Sequence, residues 1–160
     1  MKIGVISDTH DRAEATTTAL GLLFREGVEL ILHCGDIETP ETVELFEDFP
    51  THFVFGNWDR KQSELEQAIR RVGGTAHGEW GLLELAGKQV SWIHSHLRGH
   101  LRTLETSGEF DFLFYGHSHE KEMHRTGMTL VLNPGAIFRA SPKSCAVVDV
   151  ESGEVKWLTL

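Results

Sequence analysis

The sequence predicts an α/β fold in one domain of 160 residues, with two β-sheets packed face to face and helices outside them. Two patterns carry this expectation. In the first half, apolar runs of strand length alternate with helical patterns, the order that builds parallel β-α-β units. In the second half, short alternating runs follow one another across glycine turns, the order that builds hairpins. A chain of this length buries a substantial core. Its 40% apolar and 24% charged residues are ordinary for a soluble globular domain.

Each element has its own signal. Residues 2–7 form a buried strand, and Arg12 to Arg25 repeats Ala15, Ala19, Leu22 and Leu23 at helical spacing before Gly27 closes the helix. Residues 29–33 form the second strand. Thr39-Pro40-Glu41 starts a helix that runs to about Asp48: Thr39 supplies a capping oxygen, and Pro40 occupies the first helical position, where no N–H is needed. Residues 52–55 form the third strand, and 61–72 a third helix that ends before Gly73-Gly74. Runs at 80–86 and 88–94 pair around Ala86-Gly87-Lys88. A helix over 99–107 stops at Gly108. Strands follow at 111–115, 121–126, 129–133, 144–150 and 154–159, the last pair turning at Glu151-Ser152-Gly153. No repeat, low-complexity tract or linker interrupts this order.

The formal charge of -9 argues against a polyanion partner, which selects a basic face. Two bound divalent cations would still leave the chain acidic, so long nucleic acid is not expected. Cys34 and Cys145 are the only cysteines and make no disulfide framework. Met1-Lys2 leads straight into a core strand, and no apolar stretch approaches twenty residues, so the cytoplasm is the expected compartment. No basic amphipathic helix points to a membrane surface. Exposed Trp and Phe residues of the hairpin half are candidates for a homodimer interface.

Residue types that ligate metals recur just after the apolar runs. Asp8 and His10 follow the first, Asp36 the second, and Asn57 and Asp59 the third. His94 and His96 follow Val90-Ser91-Trp92-Ile93, and His117 and His119 follow Phe112-Leu113-Phe114-Tyr115-Gly116. Open α/β sheets carry their chemistry at the carboxyl ends of strands, so five such loops can converge on one edge. Singly, the motifs are weak: Gly-Asp and Gly-Asn are common turn dipeptides, and Asp-x-His reads as a helix cap beside a surface imidazole. Two histidines two residues apart are costlier to bury without a partner. Five loops in succession outweigh the separate bland readings. Carboxylates, imidazoles and one amide oxygen suit divalent first-row metals, and their number points to two ions.

In order and spacing, Asp8-x-His10, Gly35-Asp36, Gly56-Asn57-x-Asp59, His94-x-His96 and Gly116-His117-x-His119 resemble the five motifs of the calcineurin-like metallophosphoesterases. Asn133-Pro134-Gly135 matches a sequence that follows them in the small bacterial and archaeal phosphodiesterase branch. The resemblance covers nearly all of residues 1–160. It implies an αββα sandwich of two mixed β-sheets flanked by helices, with a dinuclear centre. Carried over by motif, Asp8, His10, Asp36 and His119 hold one metal, and Asp36, Asn57, His94 and His117 the other, with Asp36 bridging. Such a bridge suits the roughly 3.5–4 Å metal spacing of phosphoryl hydrolysis, with a metal-bridging hydroxide as nucleophile. Of the two divalent metal ions, manganese is the first expectation; iron, nickel, cobalt and zinc are compatible with the ligands.

Two positions depart from the pattern. Trp58 stands where many members of the wider superfamily carry a histidine that can protonate the leaving group, and indole is no general acid. Compact members often lack that histidine too, so the departure favours substrates with good leaving groups or another acid. His96 is the candidate acid; contact with the substrate phosphate and a structural role are its alternatives. Ser95 replaces a common glycine, and its side chain can crowd the substrate or supply a hydroxyl. Asp59 is expected to support the site by hydrogen bonding, or simply to cap a turn. Asn133 is expected to secure a turn or to touch substrate. His33 reads as a satisfied core histidine and Cys34 as an inert buried thiol. His52, His77, His100 and His124 have no partner residue in a motif and read as surface or rim residues. Of Arg98, Arg102 and Arg139, at least two read as solvated charges and any could bind a second ester group.

The expected function is thus hydrolysis of small phosphodiesters. The alternative is a non-catalytic scaffold, binding metal or protein partners, as in a eukaryotic retromer subunit that resembles this fold and has lost part of its metal site. Here all seven ligand positions hold competent residues, and buried charge without a metal to neutralise it is costly.

Overall fold

In the computed structural model, which describes Met1–Leu160 throughout, the β-α-β half supplies four parallel strands of one sheet. These are β1 (Lys2–Ile6), β2 (Leu30–His33), β3 (Thr51–Phe53) and the two-residue β4 (Thr75–Ala76). The helices α1 (Ala13–Arg25), α2 (Pro40–Glu44) and α3 (Gln62–Arg71) connect them. The five-stranded second sheet runs β5-β6-β7-β9-β8. It contains β5 (Trp80–Leu85), β6 (Lys88–Ile93), β7 (Phe112–Tyr115), β8 (Lys121–Thr126) and β9 (Thr129–Pro134), with α4 (His100–Ser107) crossing between the parallel β6 and β7. The chain then returns through β10 (Ser144–Asp149) and β11 (Val155–Thr159), antiparallel additions that complete the first sheet as β11-β10-β1-β2-β3-β4.

Strand alternation assigns the layers. Ile3, Val5, Leu30 and Leu32 from the first sheet meet Trp92, Phe112 and Phe114 from the second. On the outer side of the first sheet, Ile31, Phe53 and Val147 pack against Leu20, Leu23, Leu65 and Ile69 of the helices. Leu113 and Tyr115, the alternate residues of β7, pack outward with Leu104 of α4. Both faces of the central strands are therefore covered, which is why they read as continuous apolar runs. The result is the expected α/β sandwich of two mixed sheets.

Two details differ from the sequence reading. The second helix ends at Glu44 rather than near Asp48. From Leu45 to Phe49 the chain tightens into i→i+3 bonds, Phe46 N–H to Val43 and Phe49 N–H to Phe46, and this turns the Phe46 ring into the core. Its start is as expected, with Thr39 accepting the Thr42 N–H. Strand β4 was not anticipated, because two residues are too short to show a period. It exists through pairing with β3. No helix is long and apolar enough to cross a membrane.

Candidate metal centre

The loops leaving β1, β2, β3, β6 and β7 do meet at one edge. Side-chain donors of Asp8, His10 and His119 form one group, and those of Asp36, His94 and His117 a second, each with all ligand atoms within 4.8 Å of one another. The groups touch through Asp36, whose Oδ2 is 3.4 Å from His10 Nε2 and 3.1 Å from His94 Nε2. Asp8 Oδ1 lies 3.2 Å from His119 Nε2. Asn57 stands at the exposed rim, between two residues whose backbones pack on Asp36.

Local backbone conformation aims these side chains. Asp8, His10, Asp36, His117 and His119 all have positive φ, between 44 and 74°. Such conformations are held only where the surroundings over-determine them, and they gather at functional sites. The glycines of the motifs have a steric reason. A Cβ on Gly56 would sit 2.1 Å from Asp36 Oδ1, and one on Gly116 would sit 2.0 Å from Ser7 Oγ.

Each ligand candidate is held from behind. Ser7 Oγ and the His117 N–H both donate to Asp8 Oδ2, at 2.6 and 3.1 Å, leaving Oδ1 free. The Trp58 N–H donates to Asp36 Oδ1 at 2.9 Å, leaving Oδ2 free. His94 Nδ1 is 2.8 Å from the Cys34 carbonyl, and His10 Nδ1 is 2.5 Å from the Glu38 carboxylate. Both acceptors require the proton on Nδ1, so both Nε2 atoms present lone pairs. Glu38 is a functional residue the sequence reading missed. Its only signal is position, two residues past Asp36.

This donor set fits metal ions. Asp8 Oδ1, His10 Nε2 and His94 Nε2 are buried without any hydrogen-bond partner. The Nε2 lone pairs face carboxylate oxygens, an arrangement that repels unless a proton or cation lies between. Burial opposes charge on Asp8, but His10, His119 and Ser7 hold its carboxyl well below the usual range. Burial likewise opposes charge on His94, yet the Asp36 and Asp8 carboxylates push its pKa up.

The remaining candidates fall into place around this core. His96 is half-buried, its ring 5.5 Å from that of His94 and 6.5 Å from that of His117, and its buried Nδ1 has no partner. Burial and the neighbouring His94 lower its pKa. Asp59 is buried, and backbone N–H groups take up both of its carboxylate oxygens. Its Oδ1 accepts the N–H groups of Ile37 and Glu38, and its Oδ2 those of Asp36 and Gly56, so it positions two loops. Burial raises its pKa against the Glu38, Gly56 and Ile37 N–H donors, and the Asp36 charge adds to the rise. Ser95 has a positive φ of 73°, and its hydroxyl donates to the Gly116 carbonyl, tying the two histidine loops together. Asn133 secures the same turn, donating to Gly116 O and Ser118 Oγ and accepting the Gly135 N–H.

His33 is the satisfied core histidine expected: Gly35 N–H donates to Nδ1, and Nε2 pairs with Thr9 Oγ1. Cys34 is fully buried, and burial pushes its thiol pKa well up. His52, His77, His100 and His124 are all partly buried, and three of them have side-chain partners. His52 and His77 bond each other at 2.8 Å beside Trp92, and His124 lies between Glu105 and Glu122. His77 follows β4 and Glu105 lies on α4, so no local motif could reveal these two partners, whereas Glu122 is two residues from His124 on β8 itself. Arg98 and Arg102 are exposed, away from any ion pair.

Comparison with known proteins agrees with this geometry. The calcineurin-like phosphoesterase superfamily domain matches residues 1–153. The chain is 27% identical to the phosphodiesterase MJ0936 of Methanocaldococcus jannaschii, over all of this chain and 99% of that one. It is 35% identical to a probable metallophosphoesterase of Methanothermobacter thermautotrophicus, over 85% of this chain and 77% of the relative. Among solved structures, an archaeal phosphodiesterase superposes over the full length of both chains with a TM-score of 0.94 at 26% identity. From its matched length, its two-sheet sandwich and its paired Asp/His groups, this chain belongs to the calcineurin-like phosphoesterase superfamily.

Proposed function

We propose that this protein is a metal-dependent phosphodiesterase that hydrolyses small phosphodiesters at a dinuclear centre. One observation carries the reading: buried, partnerless donors on Asp8, His10 and His94 converge around a single shared carboxylate, Asp36. Asp8, His10, Asp36 and His119 hold one cation, and Asp36, Asn57, His94 and His117 the other, with Mn²⁺ the first choice. Bound there, the cations supply a nucleophile from water at neutral pH and neutralise charge building on the phosphate.

The chain's own residues do the rest. Glu38 and the Cys34 carbonyl fix the imidazole tautomers, so no proton must leave Nε2 before a ligand binds. Asp59 holds the Asp36 and Gly56 loops in register. His96, with a buried unpartnered Nδ1 beside His94 and His117, is the side chain placed to meet the substrate phosphate or leaving oxygen. Trp58 supplies no proton, so esters with good leaving groups react best. The relatives named as phosphodiesterases support the reaction class, and the acidic chain supports a small substrate.

The test is hydrolysis of bis(p-nitrophenyl) phosphate beside p-nitrophenyl phosphate, by chelated protein reconstituted with Mn²⁺. Metal-dependent turnover, faster on the diester, is expected. Two bound metals with turnover of neither ester would refute the reading.

A further inference from the structure

The rim of the centre carries side chains that the hydrolytic chemistry does not use. The Trp58 indole is 49% exposed although its backbone N–H is anchored on Asp36. Its ring lies 6.2 Å from that of His10, and the Phe138 ring lies 5.0 Å from the same imidazole. Three guanidinium groups rest on these aromatics. Arg60 is 5.1 Å from the Trp58 ring, and Arg12 and Arg139 are 4.3 and 4.9 Å from the Phe138 ring. The chain has 24 acidic residues against 15 basic ones, yet none of these three arginines pairs with a carboxylate. The ion pairs made by Lys and Arg use Lys61, Arg70, Arg71, Lys88 and Lys156 instead.

Two clefts flank the centre beside these groups. One, of about 400 Å³, runs along Trp58 and Arg60 and includes Thr39, Pro40 and Glu41. The other, of about 430 Å³, opens beside His119 and includes Lys121, Arg139 and Ser118. Both are of a size that accepts small ligands. A phosphodiester has two organic arms, and the two clefts differ in what they offer. The first presents the Trp58 indole with Arg60 and Lys61 against three carboxylates, Glu38, Glu41 and Glu64; the second presents Lys121 and Arg139 against the single carboxylate of Glu120. The half-exposed indole is a stacking surface for a planar ring once the Arg60 guanidinium that rests on it makes room, and stacking of bases on aromatic side chains is tolerant of sequence. A lipid-derived diester has no planar face to use it.

Resting on the phosphodiesterase reading above, we propose that the substrate is a nucleotide ester. Its base stacks on Trp58 in the first cleft, and its other, polar or anionic arm runs along Arg139 and Lys121. Glu41 offers an acceptor to a base bearing an amino group, so adenosine 5′-monophosphate is the probe, with ribose 5-phosphate as the same ligand without its base.

The experiment is calorimetric titration of Mn²⁺-reconstituted protein with each compound, in the wild type, Trp58→Ala and Trp58→Phe. The nucleotide should bind at least about fivefold more tightly than ribose 5-phosphate, the lower end of what one stacked base contributes. Trp58→Ala should erase that difference and Trp58→Phe should restore most of it. Equal affinities in the wild type overturn the proposal, and so does a preference that survives Trp58→Ala. Binding is read without turnover, so a failed phosphodiesterase assay stays distinguishable from a failed nucleotide assignment.

Discussion

Asp59→Asn tests whether one buried carboxylate holds the candidate centre together. Asp59 accepts four backbone N–H groups, from Ile37 at 2.7 Å and Glu38 at 2.8 Å on Oδ1, and from Asp36 at 2.9 Å and Gly56 at 2.7 Å on Oδ2. An amide keeps one oxygen for two of these donors and turns its own N–H groups toward the other two. Hydrogen bonds to a charged acceptor contribute about 1.5–3 kcal/mol each, so losing two removes roughly 3–6 kcal/mol. The amide also escapes the cost of a buried charge, which offsets roughly 1–3 kcal/mol. The net loss is about 3 kcal/mol, a large part of a typical domain's stability. With a urea slope of about 2 kcal/mol/M, the midpoint should fall by about 1.5 M. The freed loops carry Asp36 and Glu38, so Mn²⁺ affinity by calorimetry should fall about 10- to 100-fold. A midpoint within about 0.3 M of wild type, on the same slope, together with unchanged metal affinity would refute the argument.

Three further perturbations separate the other roles. Asp36→Asn removes the carboxylate proposed to bridge the two ions, so metal analysis should find neither ion retained and diester hydrolysis at background; two metals per chain with wild-type rates would remove the shared site. His96→Ala should keep both metals while lowering diester turnover about 100-fold, the scale of one positioned proton donor or contact; loss of metal would make His96 a ligand instead. Burial lowers the His33 pKa to about 3 from 6.5. The unfolded chain therefore takes up this proton first as pH falls, and the His33 contribution to stability is lost between about pH 6.5 and 3, at up to about 1.4 kcal/mol per pH unit. The His33 ring resonances should keep their neutral-form positions at pH 4.5, and a midpoint near 6.5 would contradict the burial argument.

Much of the centre was legible because its residues obey local rules. Each ligand candidate sits within a few residues of a strand end, where open α/β sheets expose their loops, and Gly56 and Gly116 are glycines because carboxylate and hydroxyl oxygens leave no room for a Cβ. What supports the ligands was not legible. The partner of His10 is 28 residues away and that of His94 is 60 away, one of them a backbone carbonyl that no residue type announces. Asp59 looked like a turn residue or a nearby support, and only the folded chain shows four N–H groups from two loops reaching it. Ser95 looked like an obstacle or a donor to substrate; its hydroxyl is spent on Gly116.

By itself, the sequence determined the elements, their order and the chemistry of the ligand set, because hydrophobic period, capping and ligand type are properties of short segments. Tertiary structure decided which of these residues face one another, which imidazole nitrogen is left bare, where the second helix ends and that β4 exists. Those outcomes depend on contacts between segments distant in the chain, whose distances and directions are set only when both sheets close on a common core.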